Sequence, residues 1–276
     1  MKCNRGTQHR IAAGVVYDGT DFIGWQSQRE GRSVQGEVER ALTRVAAAPV
    51  AVTAAGRTDA GVHASAQVVH FDTASERSER NWVLGANRHL PPDVAVRWAR
   101  VVPEGFHARF SAVARAYRYL IYESVVRPVL DRRRCAWVHE RLDLAAMQKA
   151  AEPLLGEHDF SAFRAAGCQA HSPLRRLDRF ELRHEGGILR VEVEANAFLQ
   201  HMVRNIAGSL ILVGRGRKPP AWIGEVLAGR DRRRAGPAAP ARGLTLMGIR
   251  YPAGFSLPGD YEVSLPDSMQ EQTPGL

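Results

Sequence analysis

One short segment carries most of the chemistry that the sequence offers. Residues 56–64 read GRTDAGVHA, and they place the carboxylate of Asp59 near the cation of Arg57, the hydroxyl of Thr58 and the imidazole of His63. Glycine adopts backbone conformations that other residues resist, so the segment is predicted to be a loop of fixed, unusual shape. Considered alone, Asp59 is most simply a turn residue that bonds its own backbone. A catalytic role needs support from the rest of the chain.

Arg204 is the second candidate, on a helix predicted from about residue 198 to residue 213. Apolar residues recur along this segment with helical spacing, and Arg204 lies beside their stripe. An arginine there should find a carboxylate, because a buried unpaired charge costs several kcal/mol. Two interpretations remain open. Arg204 extends its charged end to solvent, or it pairs with Asp59 and keeps that carboxylate ionised in a closed pocket.

Tyrosines and arginines are interleaved on a predicted strand at residues 114–122. Arg115, Tyr117 and Tyr119 share one face, since successive side chains of a strand point to opposite sides. Such a face can stack bases and hold phosphates. The alternative is a half-buried strand whose tyrosines keep their hydroxyls in water.

The elements around residues 56–64 follow an order of β-α-β-α-β. Predicted strands start at residues 11, 67 and 94. One predicted helix follows Ser33, a suitable N-cap, and a second covers residues 78–88. The Asp59 loop lies between the first helix and the strand at residue 67. This order is close to the split-βαβ pattern of small RNA-binding sheets. No nucleotide-binding glycine motif follows a strand.

The second half of the chain is predicted to contain a similar set of helices and strands, with more of its residues in sheet. A helix capped by Asp143 is predicted to end at residues 156–160, a hairpin surrounds residues 185–187, and a last strand reaches residue 251. We therefore predict an α+β fold. Two split-βαβ (RRM-like) subdomains with antiparallel sheets, at residues 11–104 and 105–252, would be joined around a central basic cleft. Residues 1–10 are predicted to be a loose leader and residues 253–276 a flexible tail.

Composition narrows the class of protein. The 276 residues carry a net charge of +9, which favours a polyanionic partner, although an arginine-rich proteome explains the charge equally well. The three cysteines form no CxxC pair and so indicate neither disulfides nor zinc. The sequence has no segment long enough to span a membrane and no signal peptide, so we expect a cytoplasmic protein.

Several segments match one known family, in the same order along the chain. Residues 56–64 resemble the signature loop of the tRNA pseudouridine synthase A family, and the resemblance extends over residues 10–252. The other matching segments are YDGTDFIGWQ (17–26), FHARFSA (106–112), YRY (117–119), GEHDF (156–160), FLQHMVRNI (198–206) and ARGLTL (241–246).

The resemblance implies an isomerase that converts uridine to pseudouridine in the anticodon stem-loop of tRNA, with no cofactor and no metal. Asp59 matches the essential aspartate, Tyr117 the tyrosine that stacks on the target base, and Arg204 the arginine that pairs with the aspartate. Arg57 matches the residue expected to fill the gap left by the flipped base. The resemblance leaves open whether Asp59 attacks C1′, attacks the base or removes the 2′ proton. Family members are homodimers.

The predicted site also includes further contacts to substrate or RNA. Besides Arg57, these are Thr58, His63, Arg115, Tyr119 and Leu246. The residues leave two other functions open. A non-catalytic RNA-binding protein would explain the charge and the tyrosines but gives Asp59 no task. A hydrolase that uses His63, or His158 with Asp159, lacks metal-ligand spacing.

Overall fold

The computed structural model describes residues 8–258, and these form five α-helices and ten strands. They divide into two compact units. Unit 1 contains the described residues up to Val113 and those from Leu246 onward, and unit 2 contains Ala114–Thr245. The sequence had suggested a boundary after residue 104. The division falls later because the backbone N–H of Val113 donates to the carbonyl of Arg250, and the ring of Phe106 lies 5.1 Å from that of Phe255.

Unit 1 consists of an antiparallel sheet and two helices. Strand β1 pairs with both β3 and β4, and the short β2 pairs with β3. This order contains the β-α-β-α-β series expected from the sequence. The elements are β1 (His9–Tyr17), α1 (Val34–Ala46), β2 (Thr53–Ala54), β3 (His63–Thr73), α2 (Glu79–His89) and β4 (Val94–Val102).

The predicted N-cap of α1 is confirmed, and the structure shows an N-cap for α2 as well. The side chain of Ser33 accepts from the backbone N–H of Gly36, and that of Ser78 accepts from the N–H of Asn81. These bonds satisfy donors that have no partner within a helix. On the inner side of α2, the fully buried Trp82 meets Phe71 of β3 edge to face, with ring centroids 5.2 Å apart. The sheet thus has a rigid helical support.

Unit 2 has the strand order β5-β9-β8-β7, with antiparallel pairing throughout. The short β6 departs from the predicted antiparallel pattern because it runs parallel to β5. Helix α3 packs against α4 and β8. The elements are β5 (Ala114–Glu123), β6 (Ala136–Val138), α3 (Leu144–Ala151), β7 (Gly156–Asp159), β8 (Leu174–Glu185), β9 (Ile188–Ala195), α4 (Met202–Gly214) and α5 (Trp222–Gly229).

Three boundaries differ from the sequence-based expectations. Helix α4 begins at Met202 rather than near residue 198, because His201 has a φ of 61°, which no α-helix accommodates. Residues 156–159 form strand β7, held by β8, and not a helix end. His9 and Arg10 belong to β1 because they pair with Thr73 and Asp72, while residues 1–7 of the proposed leader lie outside the described part.

The last strand crosses from one unit to the other. Strand β10 (Leu244–Arg250) neighbours β3 of unit 1 in the sheet. A single helical turn, Ala253–Phe255, follows it, so the start of the predicted tail is ordered. Residues 259–276 of that tail lie outside the described range. Within residues 8–258, the helices are all too short or too polar to traverse a bilayer.

Candidate active site

The backbone around Asp59 is fixed by the neighbouring chain of unit 1. The N–H of Trp25 donates to the carbonyl of Thr58 at 3.0 Å, and Gly24 forms an isolated antiparallel bridge with Asp59. The carbonyl of Asp59 accepts from the N–H of Val62 at 3.1 Å. Asp59 therefore does close a turn with its main chain, as the simple interpretation required. Its side chain remains partly exposed at the surface of this turn.

Two glycines allow the chain to approach the Asp59 loop closely. Gly24 has a φ of +114°, and a Cβ atom there would lie 2.8 Å from the carbonyl oxygen of Thr58. A Cβ atom on Gly19 would lie 2.0 Å from the carbonyl oxygen of Val62. Any other side chain would push the loop away from its support. The close contacts of the YDGTDFIGWQ segment thus fix the shape of the loop that carries Asp59.

A buried polar layer lies beneath the loop. The phenol oxygen of Tyr17 lies 2.8 Å from the hydroxyl of Thr58, and the side-chain amide of Gln67 donates to the carbonyl of Gly56 at 2.7 Å. Gln67 is fully buried, and its amide also lies 3.5 Å from the oxygen of Tyr17. Burial raises the pKa of Tyr17 to about 12 despite the bonds from Thr58 and Gln67, so the phenol stays neutral.

Sequence reasoning missed both Tyr17 and Gln67 as members of this site. A signal for Gln67 was available, since a glutamine at an inward position of an apolar strand must find hydrogen-bond partners. The signal for Tyr17 was its place at the end of β1. Neither signal identifies the partner, because the bonds join residues far apart in the chain.

His63 supports the neighbouring turn. It is buried, its Nδ1 accepts the backbone N–H of Gly19 at 3.1 Å, and the same atom lies 3.1 Å from a carboxylate oxygen of Asp18. The side chain therefore connects the start of β3 to the turn after β1. Arg57, in contrast, is exposed to solvent. Of the residues predicted in this loop, Thr58 and His63 are built into unit 1, while Asp59 and Arg57 are accessible.

In unit 2, strand β5 presents the predicted tyrosines in two different environments. Tyr117 is half-buried and meets the ring of Phe198 edge to face at 5.1 Å. Tyr119 is fully buried, and its hydroxyl donates to the carbonyl of Pro240 at 2.9 Å. Burial raises the pKa of Tyr119, against the effect of the nearby Arg204 cation. The alternative that the tyrosines of this strand keep their hydroxyls in water is therefore wrong for Tyr119.

Arg204 occupies the first turn of α4 and is half-buried. Its Nε donates to the carbonyl of Ala239 at 2.9 Å, and its own carbonyl accepts the N–H of Ala239 at 2.9 Å. The N-terminal end of a helix carries partial positive charge, so a cation there is unfavourable unless an anion is also present. The location of Arg204 is consistent with an anionic partner. Its pairing with Asp59 remains a prediction.

The segment after α5 holds Arg204 in place from one side. A Cβ atom on Gly208 would lie 1.8 Å from the carbonyl oxygen of Pro237, so only glycine permits this contact. The hydroxyl of Ser209 accepts the N–H of Gly236 at 2.9 Å. These contacts place residues 235–240 directly along α4. The sequence gives no sign of this packing, because proline and alanine carry no signal for it.

The remaining predicted residues have mainly structural contacts. Arg115 donates to the carbonyl of Asn196 at 2.8 Å, and Leu246 is fully buried, with its carbonyl 3.3 Å from the hydroxyl of Ser65. His158 lies 2.7 Å from the carbonyl of Leu155. Asp159 accepts the N–H of Ser161 at 2.9 Å. The pair His158 and Asp159 therefore stabilises a turn rather than forming a catalytic dyad.

In the part of the chain that the structure describes, no group of three or more His, Cys, Asp or Glu side chains is arranged to hold a metal ion. In unit 1 the main candidate is the carboxylate of Asp59 on a rigid loop. In unit 2 the candidates are the half-buried ring of Tyr117 and the guanidinium of Arg204 in the first turn of α4. By type, these groups are a base or nucleophile, a stacking ring and a cation.

Comparison with known proteins identifies a family. The family model described as tRNA pseudouridine synthase matches residues 13–111 and 150–252. The chain is 54% identical over 249 residues to a protein of Aeromonas hydrophila named tRNA pseudouridine synthase A, covering 90% of this chain and 93% of the relative. It is 55% identical over 251 residues to a protein of that name from Methylococcus capsulatus, covering 91% and 93% of the two chains. A relative from Coxiella burnetii, also of that name, is 52% identical over 249 residues, which cover 90% of this chain and 95% of the relative.

These matches extend over nearly the whole described chain, including both units. The chain belongs to the tRNA pseudouridine synthase family. The family resemblance seen in the sequence is thereby confirmed.

Proposed function

We propose that the chain isomerises uridine to pseudouridine in tRNA and that Asp59 is the essential carboxylate. The observation that carries this proposal is the rigid support of the loop that holds Asp59, by Gly24, Tyr17 and Gln67. A reactive group must be held to within a fraction of an ångström to act on a bound nucleotide. A loop that served only as a turn would not need a buried polar layer beneath it.

The reaction exchanges one bond for another within a nucleoside. The N1–C1′ bond breaks, the uracil turns while bound, and C5 joins C1′. C5 then loses its proton and N1 gains one, so that substrate and product are isomers. No electron leaves or enters, so an acid or base and a pocket that retains the free uracil are sufficient. The target base must first leave its stack, which costs a few kcal/mol. In each of the three possible routes for Asp59, its carboxylate must lie next to the target nucleoside.

Tyr117 and Arg204 complete the proposed reaction. The half-buried ring of Tyr117, which contacts Phe198, would stack on the uracil and help to remove the C5 proton. Arg204 would pair with Asp59 and keep it ionised, which the unfavourable position of a cation at the start of α4 supports. Arg57, which is exposed beside Asp59, would occupy the space left in the RNA by the extruded base.

The finer features of the family are part of the same proposal. The substrate uridines would lie in the anticodon stem-loop, the enzyme would act as a cytoplasmic homodimer, and each unit would be a variant of the split-βαβ pattern. Sedimentation of the purified protein tests the dimer. A net charge of +9 fits a phosphate-rich substrate.

The test is substitution of the carboxylate by an amide of the same shape. Asp59→Asn should abolish pseudouridine formation in tRNA transcripts, mapped by carbodiimide-dependent stops of reverse transcription, while tRNA binding is retained. The control is Asp178→Asn, which removes an unrelated carboxylate paired with Arg176. Full activity of Asp59→Asn would disprove the assigned role. Tight binding of tRNA by the wild type without any pseudouridine would instead favour a non-catalytic RNA-binding protein.

A further inference from the structure

The FHARFSA segment of unit 1 presents an exposed aromatic ring that the proposed reaction does not use. Phe110 has 76% of its surface exposed to solvent. Single apolar residues on a protein surface are common and need no function. The surroundings of Phe110 are unusual, however, since this ring is already part of an aromatic stack and has a cation beside it.

The stack holds Phe110 in one orientation. Its ring is stacked on the imidazole of His107, with centroids 4.3 Å apart and planes inclined by 29°. On the inner side, His107 lies 4.7 Å from the ring of His70, which belongs to strand β3. The series of three rings therefore runs from the sheet of unit 1 to the surface and ends at Phe110.

The backbone of the segment is equally well defined. Nδ1 of His107 accepts the N–H groups of both Arg109 and Phe110, each at 3.2 Å. The N–H of His107 donates to the hydroxyl of Ser111 at 3.0 Å, and the N–H of Ser111 donates back to the carbonyl of His107 at 2.9 Å. A ring held in this way loses little conformational entropy when a ligand stacks on it.

Charge in this region favours an anionic, aromatic ligand. The guanidinium of Arg109 lies 5.5 Å from the centroid of the Phe110 ring. Burial lowers the pKa of His70 to about 4, and it also lowers the pKa of His107, so both imidazoles are neutral at neutral pH. A cation beside an exposed ring is the combination by which proteins hold single-stranded RNA, in which the ring stacks on a base and the cation attracts the phosphate.

We infer that Phe110 is a stacking platform for an unpaired base of the bound tRNA, with Arg109 facing the adjacent phosphate. This inference rests on the proposed function, because it assigns a second contact to the same substrate. The platform lies in a segment separate from residues 56–64. It would contribute to the affinity for tRNA and not to the chemical step.

The experiment measures the affinity of the full-length protein for an unmodified tRNA transcript by filter binding. Phe110→Ala should weaken binding by about tenfold, since base–aromatic stacking contributes ~1–3 kcal/mol, and KM should rise more than kcat falls. Phe110→Trp, which restores a ring, should bind within about twofold of the wild type. The matched control is Leu84→Ala, which removes an exposed apolar side chain of α2 from the same unit and should change neither constant.

Several outcomes would overturn the inference. Wild-type affinity of Phe110→Ala would show that no base stacks there. Weaker binding accompanied by dissociation of an oligomer in sedimentation would assign the ring to contact with a second copy of the chain. Equal loss of affinity in Phe110→Ala and Phe110→Trp would show that the segment had been disturbed, and a urea denaturation curve of each variant would detect this. The binding assay involves no turnover. The effect of Phe110→Ala on tRNA affinity can therefore be interpreted even if the chain does not isomerise uridine.

Discussion

The phenol oxygen of Tyr17 and the hydroxyl oxygen of Thr58 lie 2.8 Å apart in the interior of unit 1. Thr58 immediately precedes Asp59, so this single bond connects the end of a core strand to the proposed catalytic residue. Both side chains are buried, with Tyr17 at 4% and Thr58 at 7% exposure. The position of the carboxylate thus depends on a residue that never reaches the substrate.

Removal of the Tyr17 hydroxyl should therefore affect catalysis more than substrate binding. Tyr17→Phe leaves the buried hydroxyl of Thr58 without this partner, which costs about 1–3 kcal/mol. We expect kcat to fall by at least about fivefold with a smaller change of KM, because the loop loses its fixed position. Steady-state kinetics on a tRNA transcript measures both. Tyr122→Phe is the control, since Tyr122 packs at the edge of an apolar cluster in unit 2. An equal fall in both variants would contradict the prediction.

Gly24 should tolerate no side chain. Gly24→Ala forces a residue with a Cβ atom into a φ of +114° and brings that atom to 2.8 Å from the carbonyl of Thr58. We expect a loss of stability on the order of 1–3 kcal/mol and a strong loss of activity, because the strained backbone directly contacts the Asp59 loop. Urea denaturation and kinetics check the two effects. Gly105→Ala should be nearly neutral, because a Cβ atom there meets open space.

His70 should make the protein sensitive to mild acid. Burial, aided by the nearby His107 and Arg10, lowers the pKa of His70 from 6.5 to about 4. Between pH 6.5 and about pH 4, His70 therefore binds a proton in the unfolded chain but not in the folded chain. The stability that results is complete above pH 6.5 and is lost as the pH falls toward about 4.

The loss of stability between about pH 7 and about pH 5 should be on the order of 2 kcal/mol for this one group. His70→Asn, whose amide oxygen can still accept the N–H of Ala108, should show a flatter dependence on pH. Urea denaturation at several pH values gives the slope. An equally steep dependence in the variant would place the effect on other groups.

Glu192 of β9 should be important for the stability of unit 2. Its carboxylate lies 2.7 Å from the guanidinium of Arg118, 3.3 Å from that of Arg179 and 3.1 Å from that of Arg183. Glu192 and Arg118 are both largely shielded from water. Glu192→Gln leaves these cations without their shared anion, which should cost about 3 kcal/mol.

The control for this prediction is Glu181→Gln. Its carboxylate also pairs with Arg179, but the pair is almost half exposed, so the loss should be below about 1 kcal/mol. Thermal or urea denaturation distinguishes the two variants. Similar stability of both would show that the arginines of this face find sufficient solvation without Glu192.

The sequence was sufficient to predict elements whose cause is local. Ser33, the predicted cap of α1, acts through a side chain that reaches an N–H three residues away. The hairpin between β8 and β9 is set by Gly186 and Gly187, whose φ angles are 57° and 77°. The matching segments likewise identified the family, which the comparisons confirm.

Features with a non-local cause were beyond the sequence. The start of α4 depends on the left-handed backbone of His201, which apolar periodicity cannot reveal. Burial of Tyr119 depends on Pro240, far along the chain. The polar layer of Tyr17 and Gln67 is equally non-local. In each case the deciding partner lies on another element, so its presence is known only after the fold is known.

Strand β10 has a consequence for how the protein is made on the ribosome. Unit 1 needs residues from Leu246 onward, including Tyr251, whose hydroxyl donates to the carbonyl of Ala108 at 2.6 Å. Translation delivers these residues only after all of unit 2 has been synthesised, at a rate of roughly 5–20 residues per second. The half of the protein that emerges first is thus completed last. During that interval the edge of β3 that β10 later covers lacks this neighbour.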